Sequence, residues 1–142
     1  MTSPLIDAKD QLATALAALT PPTTTSRTYR HITVNGEVTG ASSHRGFYFG
    51  IPSGGTKDGQ SGSLTVRIYD WNVILILGTS EYDLDSLFEA CVNEAELFLT
   101  EIDTQASWPA GVRMVETGDF SISRDGDYVQ ITIDLKSAIE VT

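Results

Sequence analysis

Between Gly50 and Gly62 the chain reads GIPSGGTKDGQSG, five glycines and a lysine, the residue types that cradle phosphate in nucleotide enzymes. A phosphate loop of the Walker kind needs its lysine directly after a glycine, a serine or threonine next, and a helix whose N-terminus faces the anion. Here Lys57 follows Thr56 and precedes Asp58, and the residues beyond the stretch have strand character. Residues 52–62 are therefore expected to form a flexible glycine-rich hairpin loop between strands, mobile in the isolated chain, and not a nucleotide site.

Other reactive residue types meet similar objections. Cys91 falls on the apolar side of a helical pattern, where a cysteine acts as a small hydrophobe and not as a nucleophile. His31 and His44 lie on strand-like segments among arginines, with no G-x-S-x-G elbow near them. Asp83 and Asp85 would begin a calcium loop only if Leu87 were an acid or amide and Phe88 a glycine, and the histidine spacing fits no zinc site. Asp85 and Glu89 stand one helical turn apart on a polar face, solvated and mildly repelling, unlike a desolvated acid/base dyad. The residues thus predict no enzyme, no catalytic or metal site and no cofactor.

Charge distribution carries more information. The 142 residues hold a formal charge of −10, which argues against a protein that wraps nucleic acid, and 41% of them are hydrophobic, enough for one core. From Glu81 to Asp103 there are eight acids and no lysine or arginine, whereas Arg27, Arg30, His31, His44 and Arg45 stand against the single acid Glu37. Opposite charge on separate segments suits a head-to-tail contact between copies or partners. Arg27, Arg30, Arg45 and Lys57 are the expected basic side, and Asp85, Glu89, Glu94 and Glu96 the acidic side. A lone cysteine and the lack of a signal-peptide pattern point to synthesis in a reducing cytoplasm. The longest apolar run, Val73 to Leu77, is too short to span a bilayer.

The elements that must hold these residues follow from periodicity. SPLIDAKDQLATALAALTPP predicts a helix with Ser3 as N-cap, Pro4 at its first position, and Leu5, Leu12, Leu16 and Leu19 on one stripe. RTYRHITV and HRGFYFGI predict strands joined by a hairpin at Asn35-Gly36. SLTVRIYDWNVILIL predicts a central strand, with a bulge or change of burial at Asp70 and Trp71. DLDSLFEACVNEAELFLTEI predicts a second helix, capped by Asp83, with Leu84, Leu87, Phe88, Cys91, Ala95, Phe98 and Ile102 on its buried face. VRMVET, DFSIS and YVQITIDL predict two or three final strands turning at Asp125-Gly126. The order predicts a single α+β domain over 1–142, with an antiparallel or mixed sheet of five or six strands and two main helices.

The N-terminal helix ended by TPP, the arginine-bearing SRTYRHITV, the strand pair around a glycine-rich loop, the acidic helix before WPAGVRMVE and the final ISRDGDYVQITIDL hairpin resemble the tail terminator proteins of long-tailed bacteriophages. The resemblance covers most of the chain in length and element order. It implies an α+β subunit of a hexameric ring in the virion neck, capping the tail tube and joining it to the head. Its implied partners are other copies of the chain, the tail tube protein and head-completion or neck proteins, with DNA passing through unbound. A different reading of the same acids is a DNA mimic or inhibitor that occupies a nucleic-acid-binding partner. That reading leaves the arginines and the long apolar strand unexplained.

Overall fold

The computed structural model describes residues 3–22, 29–34, 45–62, 64–79 and 82–141. In chain order they form α1 (Pro4–Ala17), β1 (Arg30–His31), β2 (Arg45–Phe49), β3 (Ser53–Ser61), β4 (Leu64–Gly78), α2 (Leu84–Asp103), β5 (Val112–Asp125) and β6 (Tyr128–Val141). The strands make one mixed sheet in the order β1-β2-β4-β6-β5, with β3 also paired to β4.

Local chemistry sets the helix starts. Ser3 Oγ accepts from the Leu5 N–H at 3.3 Å with Pro4 at the first turn of α1, and Asp83 Oδ1 accepts from the Ser86 N–H at 2.8 Å at the start of α2. Leu12 and Leu16 of α1 and Leu87, Cys91, Ala95, Phe98 and Ile102 of α2 pack on one face of the sheet. That face presents Trp71, Val73, Leu75 and Leu77 of β4 and Val129, Ile131, Ile133 and Leu135 of β6, every second residue of each strand. Each such side chain removed from water contributes about 1.5–3 kcal/mol. The opposite face carries a smaller buried cluster, Ile32 and Ile76 flanked by Tyr48, Ile74 and Tyr128, with Val66 buried further along β4.

The centre of the sheet is the antiparallel β4–β6 ladder, which runs from Thr65 opposite Val141 to Gly78 opposite Tyr128 with no register shift. No bulge therefore occurs at Asp70 and Trp71. The alternation breaks there because the faces change partners: Val66 is buried on one face and Trp71 on the other, where its indole N–H donates to Ser137 Oγ at 2.8 Å. One edge of β4 is shared, by β3 along its first half and by β2 along its second. β2 and β3 are thus two parts of one long antiparallel arm, interrupted at residues 50–52.

Two expectations are corrected. Ser53–Ser61 is not a loop but strand β3, whose ladder with β4 slips between Gly54 and Thr56 and between Lys57 and Gly59. Polar and glycine residues form it because an edge strand needs only its backbone to pair. Gly54, at φ +104°, supplies the conformation at the first slip, and Gly50 brings its N–H to both Asn72 O (3.2 Å) and Asn72 Oδ1 (3.1 Å), where a Cβ would collide with that side chain. β1 pairs with β2 in parallel, Arg30 opposite Gly46 and His31 opposite Phe47, and so not as the two arms of a hairpin; Asn35-Gly36 lies outside the described residues. The C-terminal region agrees with expectation: it forms two strands, β5 and β6, in one long hairpin that turns at Gly126 and Asp127.

Candidate assembly surfaces

The basic and acidic residues divide between the core and the surface in a way their segments did not indicate. Arg45 and Glu94, expected at an exposed interface, are both buried, at 4% and 0% exposure, and face each other across β2 and α2. Arg45 Nε donates to Glu94 Oε1 at 2.8 Å and Nη2 to Oε2 at 3.4 Å, while the Tyr29 hydroxyl donates to Oε1 at 2.7 Å. The guanidinium also lies 5.5 Å over the Tyr82 ring, and Tyr29 packs edge-on against Phe98. The pair therefore ties the segment before β1, strand β2 and helix α2 to one another inside the subunit. Burial, then the Glu94 charge and hydrogen bond, push the Tyr29 hydroxyl far above the ordinary phenol range, so it stays a donor. Burial and Glu94 likewise push up the Cys91 thiol, which keeps it from forming the reactive thiolate.

The remaining expected residues are on the outside. Arg30 is exposed on β1, Lys57 on β3, and Asp85, Glu89 and Glu96 on α2; Arg27 and His44 lie outside the described residues. The basic positions sit at the β1 and β3 edge of the sheet and the acids on the helix that packs against β5 and β6, so the structure does not bring the two sets together within one chain. His31 stacks on Phe47 at 5.1 Å and meets Phe49 edge-on at 5.7 Å; burial and Lys9 lower its pKa, and Asp10 opposes them. Among the described residues no cluster of histidine, cysteine and carboxylate side chains is placed to hold a metal. No described helix is long and apolar enough to cross a membrane.

A feature the sequence reading missed stands at the opposite sheet edge. Leu84 and Phe88 were expected inside, yet they are 75% and 73% exposed, and Phe120 and Ile122 of β5 are 40% and 43% exposed. With Leu87, Cys91, Val92, Arg124 and Val129, three of these four border an open apolar groove of about 410 Å³ between the start of α2 and the far end of β5. β5 is the last strand, so the first turns of α2 have no further sheet to cover them. Glu94 was assigned to the exposed acidic side as well, yet its place in the 87, 91, 94, 98 stripe puts it on the buried face of α2.

No protein-family model matches the chain, and no curated protein matches it. Among solved structures the chain is similar in fold to one described as "Virion of native gene transfer agent (GTA) particle", with a TM-score of 0.52 and 10% sequence identity, covering 98% of this chain and 92% of that one.

Proposed function

We propose that the chain is a structural subunit of a phage-like particle, a tail terminator that closes into a hexameric ring between tail tube and head. The observation that carries this reading is the similarity in fold, over almost the whole of both chains, to a component of a gene transfer agent virion. The distribution of surface features supports it. A ring requires two different surfaces of one chain to meet around a closed path, and exposed basic positions at one edge with acids and apolar side chains towards the other meet that need. The chain works by assembly and not by catalysis, with copies of itself, the tube protein and neck proteins as partners, and the acidic surface lets DNA pass without sticking.

Sedimentation velocity at micromolar concentration, followed by negative-stain imaging, tests the proposal. A closed ring of six copies, alone or on addition of tube protein, is the expected result. A monomer in every condition overturns it, and a monomer that binds a basic nucleic-acid-binding protein instead would establish the DNA-mimic reading.

A further inference from the structure

We infer that the outer edge of β5 from Phe120 to Asp125, with the apolar groove beneath the start of α2, receives an added β-strand from a different protein, apolar at alternate positions and carrying lysine or arginine. The inference goes beyond the ring reading and does not need it. β5 ends the sheet and pairs with β6 alone, so alternate residues along it turn their backbone N–H and C=O away from any strand. From Gly118 to Asp125 every residue is exposed. The ladder to β6 is regular from Phe120 onward, and neither proline nor lysine guards this stretch against a further strand. The opposite long edge is guarded: β3 slips twice against β4 and carries Lys57.

The helix fixes what the added strand must look like. Glu94 turns to Arg45 on β2, so the side of α2 away from Glu94, with Leu84, Phe88 and Val92 at four-residue spacing, points past β5. A strand beside β5 would lie beneath the exposed Leu84 and Phe88. Phe120 and Ile122 stand opposite Ile133 and Ile131 on the face that α2 covers, whereas Ser121 and Ser123 turn to the other face, so only alternate side chains of the newcomer need be apolar. Charge then selects among apolar strands. Asp85 and Glu89 are exposed on α2 beside Phe88 and Asp125 ends the strand, against Arg124 in the groove, and this acidic excess calls for a basic partner. A second copy offers no such strand. Its β1 is two residues long, its β3 is polar and glycine-rich, and its stretches 23–28 and 35–44 read TTTSRT and NGEVTGASSH, without apolar alternation. Two β5 edges paired with each other would set Asp85 and Glu89 of both copies on one face of a joint sheet, like charge towards like.

The test uses the full chain and three short synthetic peptides. In the first, valine alternates with threonine and lysine; in the second, glutamate replaces each lysine; the third holds the residues of the first in an order without alternation. The first is expected to bind in fluorescence anisotropy and to slow amide exchange most at 120–125, while the other two bind about tenfold more weakly or not at all. Phe88→Ser, checked for wild-type circular dichroism, is expected to weaken the first peptide by a similar factor, and Ile6→Ser, at an exposed position of α1, to leave it unchanged. Failure of the first peptide to bind, equal binding by either of the others, or slowing centred outside β5 overturns the inference. A wild-type oligomer that slows exchange at 120–125 without any peptide overturns it too, because a second copy would then be the occupant. Whether six copies close into a ring is read separately, by sedimentation and imaging, so either idea can fail without the other.

Discussion

Glu94 accepts from Arg45 and from Tyr29 in a site with no exposure of its own, so its charge belongs to the fold. Replacing it by Gln keeps the shape but strips the buried guanidinium of its carboxylate, and the expected loss is about 3–5 kcal/mol in urea denaturation. The double variant Arg45→Met with Glu94→Gln should recover a large part of that loss, since neither charge is then left inside. His31 gives a pH signature. Its pKa in the folded chain lies below the ordinary 6.5, so the unfolded chain takes up the proton first. The stability it contributes is full above 6.5 and is lost as pH falls through 6.5 towards the folded value. Melting midpoints of the wild type should therefore drop across that window, and those of His31→Phe should drop less.

Strand β3 shows how an element can hold without a core of its own. Ala at Gly54 would bring its Cβ to 2.9 Å from the Ile68 carbonyl oxygen, at a φ that side chains avoid. The expected cost is about 1–3 kcal/mol, felt locally, so amide exchange across 53–61 should speed up roughly tenfold while the global unfolding midpoint barely moves. The same strand explains what the sequence could and could not reveal. α1, α2, their caps and β6 were readable because their apolar spacing repeats at the helical or strand period and their N-caps are local. β3 has no such alternation; its pairing is a property of β4 beside it. The parallel setting of β1 on β2 depends on the path between them, which no local pattern encodes. Within the candidate surfaces, the exposure of Arg30, Lys57, Asp85, Glu89 and Glu96 followed from their types and spacing. The burial of Arg45 did not, because a strand position is indifferent to its residue until the facing helix is known. Leu84 and Phe88 misled for the complementary reason: their spacing marks an apolar side of a helix, and only the end of the sheet decides whether anything covers it.

For the molecule as a whole, Arg30→Glu reverses a charge at an exposed edge and should leave the monomer within roughly 0.5 kcal/mol of wild type while weakening self-association in sedimentation. If charge orients the contact, raising ionic strength well above roughly 0.15 M should lengthen the time taken to assemble more than it lowers the final yield, because screening slows steered encounter first. The β4–β6 ladder adds a constraint of timing. Its pairs join residues as distant as Thr65 and Val141, and β6 lies between β4 and β5. On the ribosome, α1, β2 to β4, α2 and β5 are all made before the strand that unites them, so neither the groove beside β5 nor the sheet beneath α2 exists until β6 has emerged. Nascent chains whose β6 has not yet emerged would then have no finished surface to offer one another, and docking would await that strand.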